Sequence, residues 1–423
     1  MILMSIESSC CSEVPVKESV SSRVGLVPWA ISLMPFCILF ATEDSFTFQT
    51  AIPAIAVMMM AFVFSPQARK YSKHALIIMI GFITIIGISE CITILHDDYL
   101  ITNKTLIRAF MFCVIVWFYA TAVSYHYSRK EICFILKSIS ISVFFSSFLE
   151  FLEYFKKGGY FGRVYPVSLR GHQLDANYFA LLIVVQVAIA YIVALHVYKA
   201  REKILFFICV GVGLISIILT GSRSGLMCVF LILGLGAIFY FGKTSKGRRR
   251  NTFFFLIFGI FLYAASSRFM SGWMFDRFFA NSYKDDSNEQ RVVYWINAVN
   301  RWPQRPVFGF GVGNYNYFFA KDQGLAEAGA VTTHGTLTDF LVDFGILGLF
   351  LFIYMVCSCV RLLLRTHNYM IISLLPGIIV CSIIIGAERT VALWLWLMLF
   401  RILGEYFNHN HDESLSTLFI KEK

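Results

Sequence analysis

Charged residues are scarce in this sequence: Asp, Glu, Lys and Arg make up only 15% of its 423 residues, whereas 58% are hydrophobic. Because roughly a quarter of a soluble domain is charged, this composition excludes an ordinary soluble protein. The apolar residues fall in runs of roughly 18 or more, the length that crosses ~30 Å of hydrocarbon. The sequence therefore predicts an all-α, polytopic membrane protein.

Two further patterns are missing. No two of the 11 cysteines are spaced as CxxC, so the sequence indicates neither a zinc site nor a redox pair. The first 23 residues lack the basic start, apolar middle and cleavage site of a signal peptide. We therefore expect the first span to act as an uncleaved insertion signal.

Twelve apolar runs are predicted to span the membrane. They lie near residues 24–41, 48–64, 75–95, 106–125, 133–155, 178–198, 204–220, 225–241, 253–265, 337–360, 369–386 and 391–407. The predicted organisation is a segment at 1–23, nine spans within 24–265, a long loop at 266–336, three spans within 337–407 and a tail at 408–423.

The net charge of +10 lies largely in short loops between the predicted spans. Every loop that follows an even-numbered span is basic, most strongly the "KTSKGRRR" of residues 243–250. Basic loops beside spans mark the cytoplasmic side. We therefore expect both termini in the cytoplasm, and a charge that serves orientation rather than a nucleic-acid partner.

The loop at 266–336 then faces outward, and a loop of this length usually has a role. Its stretch "SNEQRVVYWINAVNRWP" predicts an amphipathic helix, with Ser287 as its cap and Val292, Ile296 and Val299 on one face. Such a helix would lie along the membrane surface or against the bundle of spans.

Three glycines alternate in "FGFGVGNY", at Gly309, Gly311 and Gly313. A nucleotide-binding glycine loop belongs to a βαβ unit, and this stretch follows none. We therefore predict a glycine turn that returns the long loop to the helical bundle.

Arginines in outward loops are the first functional indication, because the orientation rule does not require them. Arg223 lies at a tight turn between Gly221 and Gly225, which allow the close backbone approach that suits a bound anion. The alternative is a structural arginine that snorkels to the membrane interface. The other outward arginines are Arg163, Arg170, Arg291, Arg301, Arg305 and Arg389.

A histidine, His334, stands just before an apolar run in "THGTLTDFLVDFGILGLF". Thr336 and Asp339 are spaced as a helix cap and its partner, and Asp343 lies one turn further on. The positive potential of a helix N-terminus favours a neutral imidazole, which can accept a proton from a hydroxyl. Either aspartate could orient it. The alternative is a capped span beside an incidental loop histidine.

Four pieces of the sequence, in this order, resemble the bacterial O-antigen ligases and O-antigen polymerases. They are "LDANYFALLI", "LTGSRSGL", "QRVVYWINAVNRWPQRPVFGFGVGNY" and "THGTLTDFLVDFGILGLFLF". They lie between Leu174 and Phe352. Their order, their outward placement and the single long loop make the resemblance specific.

The resemblance implies a metal-independent membrane glycosyltransferase with a GT-C-like helical fold in a bacterial inner membrane. Its donor would be a glycan on undecaprenyl diphosphate at the periplasmic face. Arg223 and Arg291 match the family's diphosphate-holding arginines, and His334 matches its catalytic histidine. Supporting roles would fall to Arg170, Asp339, Asp343, Arg301, Arg305 and Arg389. Gly335 departs from the family's usual Asn or Ser, and Asp343 from a frequent glutamate.

The acceptor stays open at this point. A polymerase would extend a lipid-linked repeat unit of O-antigen or capsule, and a ligase would load the lipid A core. Because ligases are one branch of a broad family, we expect a polymerase. Its partners would be the lipid-linked donor, the acceptor and membrane lipid, with a flippase and a chain-length regulator as further candidates.

Two readings from other classes are also open. A secondary transporter would place ionisable residues within its spans, where Glu90, Arg108 and Lys137 fall. A non-catalytic scaffold in glycan export would leave the outward arginines and the histidine without a purpose.

Overall fold

The computed structural model describes residues 24–41, 51–96, 103–158, 163–241, 286–315, 335–383, 390–410 and 415–419. Within these ranges the chain is almost entirely helical, and the only β feature is one bridge between Val167 and Gln173. The helices are α1 Leu26–Leu33, α2 Ile52–Phe64, α3 Lys73–His96, α4 Asn103–Ser124, α5 Arg129–Lys156, α6 Ala176–His196, α7 Ala200–Thr220, α8 Arg223–Phe241, α9 Asp286–Arg301, α10 Thr336–Arg365, α11 Tyr369–Ile372, α12 Leu375–Ile383, α13 Val391–His409 and α14 Leu415–Leu418. Short 3₁₀ turns lie at Met34–Phe40, Pro66–Arg69 and Trp302–Gln304.

Eight of these helices are long and apolar enough to cross a membrane: α3 to α8, α10 and α13. Three shorter apolar segments lie at Leu26–Phe40, Ile52–Phe64 and Tyr369–Ser382. Every predicted run coincides with one of these segments except the ninth, near 253–265, which lies outside the described residues. The all-α, polytopic fold is confirmed, and the number twelve stays a prediction.

Helix α6 lies at the centre of the bundle because it is apolar on every side. Nearly every residue from Ala176 to Leu195 is buried, through contacts with α5, α7, α8, α12 and α13. The amide of Gln186 donates to the hydroxyls of Ser142 and Ser146 on α5, both at 2.9 Å. This buried polar contact fixes the register of α6 against α5, and with it the position of the start of α6.

Helix α10 is interrupted at Gly345, whose φ of 66° and ψ of −167° are not helical. Residues 306–311 run alongside the break. They donate two amides to the carbonyls of Val342 and Asp343, at 2.8 and 2.9 Å, and accept two amides from the residues just after Gly345, at 2.9 and 3.3 Å. The returning loop thus supplies the backbone partners that the broken helix has lost.

Side chains of α3 hold the same returning segment from the other side. The carboxylate of Glu90 accepts the amide of Val312 at 3.0 Å, and the hydroxyl of Thr93 donates to the carbonyl of Phe310 at 2.9 Å. We call residues 306–313 the glycine clasp. The predicted turn that returns the long loop to the bundle is therefore confirmed.

The glycine clasp predicts that alanine at Gly309 destabilises the protein. Its φ is 72°, and that of the exposed Gly158 is 71°, so alanine at either position carries the ~1–2 kcal/mol of a left-handed backbone. A Cβ at Gly309 would also lie 2.5 Å from the backbone of Asp343, whereas at Gly158 it would meet nothing within 4 Å. We expect Gly309→Ala to cost about 1–3 kcal/mol more than Gly158→Ala, because backbone cannot move aside cheaply.

Thermal unfolding of the two purified variants in detergent measures this difference. Gly309→Ala should lower Tm clearly further than Gly158→Ala, and should also lower the activity of the site that the clasp positions. Equal losses of Tm in the two variants would contradict the clasp.

Candidate active site

Arg223 opens helix α8, directly after the turn that ends α7. Gly221 ends α7 in the left-handed conformation, with φ of 61°, as glycine often does at a helix C-terminus. Ser222 caps α8, since its hydroxyl accepts the amide of Gly225 at 3.3 Å. A Cβ at Gly225 would lie 2.9 Å from the Cβ of Ala180. The two glycines thus place Arg223 beside the first turns of α6.

Asp175 caps helix α6 at the same end of the bundle. Its carboxylate accepts the amides of Asn177 and Tyr178, at 2.8 and 3.2 Å. The N-termini of α6 and α8 therefore lie side by side, and each contributes a partial positive charge.

Arg291 lies on the inner face of α9. On that face Ala298 is fully buried and packs with Val342 of α10, while Val292 and Ile296 on the opposite face are 49% and 54% exposed. The predicted amphipathic helix is confirmed, and one of its faces packs against the bundle.

Four neighbouring groups act on Arg291. Burial lowers the pKa of Arg291. The charges of Arg223 and Arg163 lower that pKa further, whereas Asp175 and Tyr178 oppose the change. The guanidinium groups of Arg223 and Arg163, from two other segments, therefore lie within electrostatic range of Arg291, as does the carboxylate of Asp175. We call Arg163, Arg223 and Arg291 the arginine cluster. Gathering like charges in a partly buried place is costly unless an anion offsets them.

Arg163 is the cluster member that sequence reasoning missed as a site residue. Its Nε donates to the carbonyl of Thr220, the last residue of α7, at 3.2 Å. Its guanidinium carbon lies 4.9 Å from the ring centre of Tyr165. The only sequence signal was its place among the outward arginines, because the irregular path of residues 163–175 decides which of those arginines converge.

Trp295, one turn after Arg291 on the same face of α9, abuts the start of α10. A Cβ at Gly335 would lie 2.9 Å from the indole Nε1 of Trp295. The beginning of α10 is therefore on the side of α9 that carries the arginine cluster. His334 immediately precedes Gly335 in the sequence, and both His334 and Arg389 lie outside the described residues.

Two predicted helix caps are wrong. Gly335, not Thr336, is the N-cap of α10, and it contributes no side-chain bond. The hydroxyl of Thr336 instead donates to the carbonyl of Cys381 at 2.7 Å, a partner on α12 that no local sequence pattern reveals. Helix α9 begins at Asp286, so Ser287 lies within the helix rather than capping it.

Two of the predicted supporting residues lie next to the glycine clasp. The carboxylate of Asp343 accepts the amide of Gly313 at 2.9 Å. Arg305 donates to the hydroxyl of Thr93 on α3 at 2.6 Å. Both side chains therefore hold the long loop against the bundle.

The remaining supporting residues lie in different surroundings. Arg170 is exposed beside the turn at Gly171 and is not among the groups that act on Arg291, so we do not include it in the site proposed below. Burial raises the pKa of Tyr315, Arg301 lowers it and Asp339 raises it. Arg301 and the buried Asp339 thus lie near Tyr315, between α9 and α10.

The arginine cluster is suited to a multiply charged anion. Arginine grips phosphate oxygens through a fixed fork of donors, and the adjoining N-termini of α6 and α8 favour negative charge. In the described ranges, no group of three or more His, Cys, Asp or Glu side chains is placed to hold a metal ion.

Residues 208–353 match the family model described as O-antigen ligase. Over these residues the chain is similar to the O-antigen ligase family. A protein of Rickettsia conorii (strain ATCC VR-613 / Malish 7) named as a polysaccharide ligase is 23% identical over 243 residues, which cover 55% of this chain and 56% of that protein. The chain therefore spans about half the length of this curated relative.

This similarity confirms the resemblance drawn from the motifs. The matched region contains Arg223, Arg291 and His334, whereas Arg163 and Asp175 precede it.

Proposed function

We propose that this protein is a polysaccharide polymerase of the bacterial inner membrane. It transfers a glycan from undecaprenyl diphosphate to a lipid-linked repeat unit of O-antigen or capsule at the periplasmic face, with both termini of the chain in the cytoplasm. The observation that carries the proposal is the arginine cluster, in which Arg223 and Arg291 come together from α8 and α9.

In the proposed reaction the acceptor hydroxyl attacks the anomeric carbon of the donor glycan. The new bond forms between the acceptor oxygen and that carbon, while the bond from the carbon to the diphosphate oxygen breaks. The electron pair of the broken bond goes to the diphosphate, whose growing charge Arg223 and Arg291 stabilise. His334 takes the proton of the acceptor hydroxyl and later releases it to water.

A ligase that loads the lipid A core is the second candidate. The name of the Rickettsia conorii relative favours it, while the breadth of the family favours a polymerase. Both activities need the same grip on the donor, so the arginine cluster supports both equally.

The transporter hypothesis loses two of its three supporting residues. Glu90 is engaged by the glycine clasp through the amide of Val312, and Lys137 forms an ion pair with Glu202 at 2.6 Å. Two of the three ionisable residues that suggested transport therefore have structural partners.

Deleting the gene and separating the surface glycan on a gel tests the proposal. Loss of a polymerase leaves a single repeat unit on each core, and loss of a ligase leaves a bare core with long chains on the carrier lipid. In a host without lipopolysaccharide, loss of capsule polymer is the equivalent result. Unchanged glycan in the deletion strain contradicts both candidates.

Chelation of divalent cations should leave transfer intact. Because guanidinium groups supply the positive charge in the proposed site, we expect the purified protein to transfer glycan at an unchanged rate in excess EDTA. A rate that collapses in EDTA and returns on addition of Mg²⁺ or Mn²⁺ would contradict the metal-free mechanism.

A further inference from the structure

We propose that Arg163 is a third binding residue for the lipid diphosphate, which rests on the proposed function. It lies outside the matched region of residues 208–353, and it reaches the cluster from the irregular segment before α6. Its role would be to hold one phosphate of the donor while Arg223 and Arg291 hold the rest.

The guanidinium of Arg163 is fixed on two sides but has one donor to spare. Its Nε is engaged by the carbonyl of Thr220, and its plane lies over the ring of Tyr165. Its Nη2 is buried and has no hydrogen-bond partner in the described part of the chain. A buried charged donor without a partner is costly, and it calls for an explanation such as a ligand.

Arg291 presents a second donor of the same kind. Its Nε is also buried without a partner in the described ranges, and the charge of Arg163 acts on it directly. In the described ranges these two N–H groups on neighbouring guanidiniums have no partner, and the positive charges of the cluster outnumber the one carboxylate, that of Asp175, that acts on Arg291. A diphosphate supplies both the charge and the acceptor oxygens.

A purely structural role for Arg163 is the competing explanation. The contact with Thr220 satisfies a carbonyl at the end of α7, where a positive charge is favourable. That contact uses only Nε, however, and it accounts neither for the buried Nη2 nor for the placement of a third like charge beside Arg291. The two explanations predict opposite effects on the stability of the empty protein.

The test compares Arg163→Gln with Arg170→Gln in purified protein reconstituted in phosphatidylcholine nanodiscs. Both changes remove one positive charge from the same segment, but Arg170 is exposed and outside the cluster. The probes are undecaprenyl diphosphate, undecaprenyl monophosphate and inorganic pyrophosphate. Binding is followed by the rise in Tm that each probe causes.

We expect Arg163→Gln to weaken the binding of undecaprenyl diphosphate about 10- to 100-fold, as for one lost charged hydrogen bond. Without ligand its Tm should be unchanged or higher than that of the wild type, because repulsion in the cluster is relieved. Binding of the monophosphate should weaken less. Arg170→Gln should match the wild type in every measurement, and Arg163→Lys should recover part of the affinity.

Pyrophosphate, which has no lipid tail, distinguishes recognition of the phosphates from recognition of the lipid. Weaker binding of both pyrophosphate and the lipid diphosphate in Arg163→Gln shows that Arg163 contacts the phosphates themselves. A variant that binds every probe as tightly as Arg170→Gln, or that only loses Tm without ligand, overturns the proposal. If Arg223→Gln also binds undecaprenyl diphosphate normally, the proposed function fails together with it, whereas a loss in Arg223→Gln alone overturns only the role of Arg163.

Discussion

Alanine at Arg223 or at Arg291 is expected to abolish glycan elongation while the protein still inserts in the membrane. Each side chain reaches the arginine cluster from a different helix, so neither can replace the other. Removing one preorganised donor that faces developing negative charge costs about 10²–10³ in rate. Complementing the deletion strain with each variant and separating the surface glycan on a gel measures the effect, with the amount of protein in the membrane fraction determined in parallel.

Two further substitutions sharpen this expectation. Arg170→Ala removes an exposed arginine outside the cluster and should leave long-chain glycan normal. Arg291→Lys keeps the charge but loses the planar fork, so we expect an intermediate loss. Normal long-chain glycan from both alanine variants would refute the enzyme mechanism proposed here.

The sequence predicted the helical architecture well because the membrane imposes one strong constraint. A buried backbone in hydrocarbon must satisfy its own hydrogen bonds, so long apolar runs become helices. The glycine clasp was also predictable, since alternating glycines after an outward helix have few other uses. Its partners were not, because Glu90 and the break at Gly345 lie far from it in the sequence.

The composition of the arginine cluster shows where sequence reasoning stops. Arg223 and Arg291 were selected through motifs, and the structure brings them together. Arg163 has no motif, and its place depends on the contact between its own Nε and the end of α7. Asp175 was recognised as a helix cap, yet its second role as the carboxylate beside Arg291 depends on how α9 packs.

The wrong prediction of Thr336 as a helix cap also results from a contact between distant segments. The capping rule predicts that the hydroxyl of Thr336 bonds to an amide of its own helix. It donates instead to the carbonyl of Cys381 on α12. Gly335 is left as the N-cap without a side-chain bond.

Alanine at His334 is expected to slow glycan transfer by about 10²–10⁴-fold, the usual contribution of a general base. The sequence places this histidine directly before Gly335, and the proposed function assigns it the role of general base. The variant should retain its affinity for undecaprenyl diphosphate, since the arginine cluster is untouched. Single-turnover transfer and donor binding, measured on the same purified protein, separate a loss of rate from a loss of affinity.

The pH dependence of the rate distinguishes a general base from a positioning residue. Protonation of the imidazole removes its acceptor lone pair, so the wild-type rate should fall as the pH is lowered through the titration of His334. His334→Ala should lose that acidic limb and keep a low, flatter rate, because no other group is expected to take the proton. A variant whose slow rate still falls with the wild-type profile would show that the titrating base is another residue. In that case the donor grip of the arginine cluster would stand, and the base would have to be sought among the other groups near the start of α10, beginning with the buried Asp339.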